Sequence, residues 1–174
     1  MLSKTEHILW KENFLKAIAQ TGEDGRAIAD YIRSHGTVIG FKKARRSVAA
    51  FWTLSKRIYL NSHHYSYATP LTNPYMLSLL AHEVKHLQQG PIVSLSVYGE
   101  LEAWQTGYHL YHQLSGDYPN DVIAEIMSLP LDWDRVILRR VRELMQVYAG
   151  KGYRVDLLPL YPINREVRYL ITGK

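Results

Sequence analysis

The sequence predicts an α+β fold: a small three-stranded or larger sheet packed on one long helix, with a mostly helical C-terminal half. Three observations predict it. Apolar residues recur at helical spacing over the first 35 residues and again from about residue 74 onward. Between these stretches lie TVIGF (37–41), SVAAFWT (47–53) and RIYLN (57–61), short runs rich in β-branched and aromatic residues. No linker, repeat or low-complexity tract divides the chain, and 174 residues suit a single domain spanning 1–174.

The elements follow in order. Ser3 and Glu6 have the spacing of a capping box, so a first helix runs from there to about Gln20. A second helix is expected from Arg26 to His35, closed by Gly36. These are the N-terminal helices, 3–35. The three runs that follow form the sheet, 37–61, and their spacing reads as an antiparallel meander. Asn73-Pro74 supplies a cap and a first-turn proline, and Gly90-Pro91 a stop, which places a helix over 74–89. The next helix begins between Ser94 and Ser96 and reaches about Leu114. A short helix over 121–128 and an amphipathic one in DRVILRRVRELMQVYAG, closed by Gly150, lead into the tail. The tail, YRVDLLPLYPINREVRYLITGK, reads as mainly extended, with a last helical turn or two.

Composition excludes several classes. There are no cysteines, which removes disulfide scaffolds and thiolate metal sites. No apolar run approaches the roughly 20 residues needed to span a bilayer, and the N-terminus lacks the apolar core of a secretory signal. A cytoplasmic location and no membrane partner are therefore expected. The net charge of +5 is mostly dispersed. Its one cluster, FKKARR (41–46), reads as a solvated turn between strands, so nucleic acid is not the expected partner.

The informative stretch is LLAHEVKHLQQGP (79–91). On a helix at about 100° per residue, His82, His86 and Gln89 fall within roughly 60° of one another. Leu77, Leu80, Val84 and Leu87 fall near the opposite side. The helix thus has an apolar back for the core and a separate face bearing both imidazoles. His82 and His86 have the spacing of paired zinc ligands, and Glu83 flanks them as a general base.

A catalytic zinc needs a third protein ligand. Glu100 and Glu102 follow in YGELEAWQTGYHLYHQL, pointing about 160° apart. Glu100 shares a stripe with Val97, Ala103, Trp104, Gly107, Tyr111 and Leu114, which is apolar and faces inward. Glu102 shares one with Gln105, Thr106, His109 and Gln113, which reads as surface. A carboxylate on an inward apolar face needs a partner, so Glu100 is the expected ligand and Glu102 the alternative. His63, His64, His109 and His112 read as surface residues.

In HEVKH followed by ELEA, residues 37–115 resemble the gluzincin zinc metallopeptidases, and the chain's size resembles the minimal single-domain members. The resemblance implies a zincin-like fold and zinc-dependent peptide hydrolysis. It also implies His82, His86 and Glu100 as ligands, Glu83 as base, and a peptide or protein as substrate. RIYLN resembles the strand that borders the substrate cleft in that clan. Trp104 departs from the pattern, since many members have there an Asp that orients a ligand histidine. Tyr108 and Tyr111 read as packing aromatics rather than oxyanion donors. The alternative reading is a zinc-binding module with a regulatory role and no peptidase activity. A third is a metal-free binding protein acting through FKKARR. The LLPLYP segment could lie in the cleft and keep an enzyme latent.

Overall fold

The computed structural model describes residues 3–150 and 152–173. Met1, Leu2, Lys151 and Lys174 lie outside the described residues, and with them both ends of the expected 1–174 domain. The fold is α+β, with seven helices and three strands among the described residues. None of these helices is long and apolar enough to cross a membrane.

Helices α1 (Lys4–Ala19) and α2 (Glu23–Ser34) form the N-terminal pair. The Ser3–Glu6 capping box is present, with both hydrogen bonds made. Helix α2 starts three residues earlier than expected, because Glu23 and Asp24 favour a first turn.

Strands β1 (Val38–Lys42), β2 (Ala50–Thr53) and β3 (Arg57–Asn61) make one mixed sheet in the order β1-β3-β2. The expected meander is therefore wrong. Strand β3 is central, parallel to β1 and antiparallel to β2. The physical reason lies at its end. Buried Asn61 donates to the carbonyls of Arg45 (2.9 Å) and Val48 (2.6 Å) and accepts from the Ala44 amide. The basic loop is thus pinned across the end of β3, which carries the chain from one edge to the other. Short-range spacing carries no trace of that staple.

Helix α3 (Pro74–Ser94) is capped by Asn73 and outlasts the expected stop. Gly90 leaves the helix at φ 70°, as the sequence implies, but the chain re-enters it at Pro91 for one more turn. Helix α4 (Val97–Ser115) is capped by Ser96 and runs back antiparallel. Two glycines on α4 let the helices touch. A Cβ on Gly99 would lie 2.1 Å from the Val93 carbonyl oxygen, and one on Gly107 would lie 2.8 Å from that of Ser78.

Helices α5 (Asp121–Ser128) and α6 (Arg135–Ala149) complete the C-terminal half. The tail is more helical than expected: α7 (Ile163–Thr172) follows a short 3-10 turn. Among the described residues there are two apolar cores. One joins α1, α2, the sheet and the back of α3 through Phe14, Ile18, Ile39, Ile58, Leu77 and Leu80. The other joins α4, α5, α6 and the tail through Leu101, Trp104, Ile126, Val141, Met145 and Leu160. The α3–α4 hairpin is the seam between them.

Candidate metal centre

The back of α3 buries Leu77, Leu80 and Val84, so its opposite face turns His82 and His86 toward α4. There the two Nε2 atoms lie 3.0 Å apart. Glu100 comes in from α4, its carboxylate oxygens 3.7 Å from His82 Nε2 and 3.5 Å from His86 Nε2. Donors about 2.0–2.2 Å from a tetrahedral zinc lie about 3.3 Å from one another. The two Nε2 atoms and the two Glu100 oxygens sit near that spacing, and one donor atom from each of the three residues can be taken with all within 4.8 Å of one another. The group could hold a metal ion.

Glu102 has different partners. It takes Lys85 Nζ at 3.0 Å and Gln89 Nε2 at 2.9 Å. It is not the water-facing residue that its stripe implied, since its side chain is 27% exposed. Close approach at Gly99 and Gly107 lets both glutamates reach α3, one on either side of the contact. His63, His64, His109 and His112 are not brought to the group. His64 bonds to the Arg46 carbonyl, His109 faces Asp24, and His112 packs on Tyr118.

His86 and Glu100 are held from behind. His86 donates from Nδ1 to Gln89 Oε1 at 3.1 Å, which leaves its Nε2 lone pair for a metal. Gln89 is fixed in turn by donating to the Gly99 carbonyl and to Glu102. The Ala103 backbone lies close enough to the His82 ring to favour its charged form. Tyr153 Oη donates to Glu100 Oε2, and Trp104 Nε1 donates to Tyr153 Oη at 2.9 Å. Trp104, at the position of the expected acid, thus reaches Glu100, through Tyr153, rather than a histidine. The His82, His86 and Gln89 face is visible in the sequence, whereas Tyr153 and the links of Gln89 to Glu102 and Lys85 are not. Tyr153 is 53 positions from Glu100, and no local pattern links residues so far apart.

Burial and the neighbouring charges act differently on each member of the group. Burial holds His82 at about 3, and His86 alongside adds to this, so His82 stays neutral. Burial also works against charge on His86. The hydrogen bond and charge of Glu100 outweigh it and raise His86. For Glu100 burial favours the neutral acid, but His86, His82 and Tyr153 together lower it, so it stays ionised. Glu83 is 5% exposed, and burial pushes its carboxyl up to about 8. His86 and a hydrogen bond from the Trp52 backbone oppose that rise, while Glu100 adds to it.

Glu83 and His82 open onto a cleft of about 250 Å³ between the start of β2, the α3–α4 hairpin and the end of α6. The strand beside it is β2, not RIYLN, because β3 is interior to the sheet. The Asn61 amide bonds to the Ala49 carbonyl, so Ala49, Phe51 and Thr53 face β3. Ala50 and Trp52 present their backbone to the free edge. The LLPLYP segment does not enter the cleft. Pro159 and Leu160 instead accept from the Val97 and Tyr98 amides at the start of α4.

Known protein families, characterised proteins and solved structures provide no match to this chain.

Proposed function

We propose that this protein is a zinc-dependent peptidase of zincin-like build, resembling the gluzincins in its combination of HEVKH with Glu100. The observation that carries the reading is the convergence of His82, His86 and Glu100 at ligand spacing, with Glu83 beside them at the cleft. Two neutral-capable imidazoles and one carboxylate are a donor set zinc accepts in hydrolytic sites.

A bound zinc would acidify a water and polarise the scissile carbonyl. The protein's own groups do the rest. Glu83 takes a proton from the attacking water, whose oxygen bonds to the carbonyl carbon. As the carbon–nitrogen bond breaks, Glu83 passes that proton to the leaving amine. Without an ion, burial pushes that carboxyl up to about 8; a divalent cation alongside would bring it back down toward the ionised form that a base needs. The outward-facing backbone of Ala50 offers a peptide one strand-like hydrogen-bonding pair along the cleft.

Glu83→Gln tests this reading. The variant is expected to keep stoichiometric metal and lose hydrolysis of any peptide the native protein cleaves, by about 10²-fold or more. Retained turnover would sink the mechanism.

One observation favours a metal-binding module without peptidase activity. Tyr153, the phenol hydrogen-bonded into the metal group, is engaged with Glu100 and is not free to steady an oxyanion. Metal analysis paired with a broad peptide-library digest separates the readings. Bound metal without cleavage of any peptide favours the module.

A further inference from the structure

The cleft beside Glu83 is small and chemically one-sided. Its volume of about 250 Å³ falls below the roughly 300–1,000 Å³ of pockets that enclose whole ligands. It holds one large side chain. Ala49, Ala50 and Leu79 line it on the sheet and α3 sides, and Tyr65, Tyr108 and Tyr148 on the others. Apart from the tyrosines, the titratable side chains on its wall among the described residues are His82 and Glu83, both committed to the metal group and its water.

The phenols give the cleft ring faces and edges. Tyr108 and Tyr148 stand edge to face, with ring centroids 6.1 Å apart. Tyr75 leans on Tyr111, with ring centroids 4.7 Å apart. An aromatic guest would meet ring edges and faces at stacking distance. A charged guest would lose water and, among the described residues of the wall, find no counter-charge outside the catalytic group. A small guest would leave the cleft part-filled.

We infer that this cleft selects a bulky, uncharged side chain, aromatic above all, next to the bond that is cut. The inference rests on the peptidase reading above and names the class of substrate. The cleft is continuous with the outward-facing backbone of Ala50, so a peptide on that edge can drop one side chain into it.

The test is binding, read by calorimetry, of amino-acid hydroxamates to zinc-loaded protein, which needs no turnover. The phenylalanine hydroxamate is expected to bind about 100-fold more tightly than those of alanine, glutamate or lysine. In Ala149→Phe, which fills the cleft from the end of α6, that preference is expected to fall below about tenfold, with alanine hydroxamate binding unchanged. Ala49→Leu fills it from the opposite wall and serves the same purpose if the first variant misfolds. Equal binding of all four probes by metal-loaded native protein overturns this inference and leaves the metal site standing. Tightest binding of the lysine probe overturns it in favour of a cation cage. Failure of the native protein to take up zinc overturns the inference together with the reading beneath it.

Discussion

Glu100 and Glu102 are two positions apart, and their partners separate them. Glu100 meets both histidines and Tyr153, whereas Glu102 meets Lys85 and Gln89. Glu100→Gln is expected to weaken zinc binding by at least about 100-fold, since it neutralises a direct donor. Glu102→Gln is expected to cost about tenfold or less, since it acts on His86 only through Gln89. Competition against a chromophoric chelator measures both, and equal losses would contradict the assignment. Tyr153 is the second residue to test. Tyr153→Phe keeps the ring among Trp104 and its neighbours but removes the proton donated to Glu100. A 10–100-fold loss of zinc affinity with little change in melting temperature is expected. An unchanged affinity would reduce Tyr153 to packing. The histidine pair and Glu83 were legible in the sequence because they share one helix, where spacing fixes direction. Tyr153 was not, because its place depends on how the α6–tail turn folds back over α4.

Elements meet the site at one contact, the antiparallel α3–α4 hairpin. Gly107 sits against Ser78 and His82, where an added Cβ would lie 2.8 Å from the Ser78 oxygen and 3.3 Å from His82 Cβ. Gly107→Ala is expected to destabilise the protein by about 1–3 kcal/mol, the usual range for overpacking, and to weaken metal binding as well. Paired thermal melts with and without zinc check this. A variant that melts and binds like the native protein would show that α4 can shift without cost. Helix boundaries were largely legible, because Ser3, Asn73, Ser96, Asn120 and Asp134 all cap as their residue types imply. The sheet was legible as strands but not as an order. The meander failed because a buried side chain, Asn61, routes the basic loop across β3.

At the scale of the whole molecule, the candidate site bridges two cores. His82 and His86 belong to a helix packed on the N-terminal core. Glu100 and Tyr153 belong to elements packed on the C-terminal one. A metal held by both would tie the halves together and stabilise only the folded chain. At free zinc of about 1,000 times Kd that amounts to about 4 kcal/mol, or roughly 10 °C in Tm for a chain of this length. Stripping metal with a chelator is expected to lower Tm by about that much, and zinc to restore it. Equal Tm with and without zinc would mean that no ion spans the seam.

What the sequence determined by itself was local: the caps, the amphipathic faces, the pairing of His82 with His86, and the inward face of Glu100. Each follows from periodicity and side-chain chemistry within about twenty residues. Only the tertiary structure decided the strand order, and with it that β2 rather than β3 borders the cleft. It also decided the partner of Trp104, the support from Tyr153, and the tyrosine lining drawn from α3, α4, α6 and the loops. These depend on contacts between segments far apart in the chain, where packing rather than spacing decides which side chains meet.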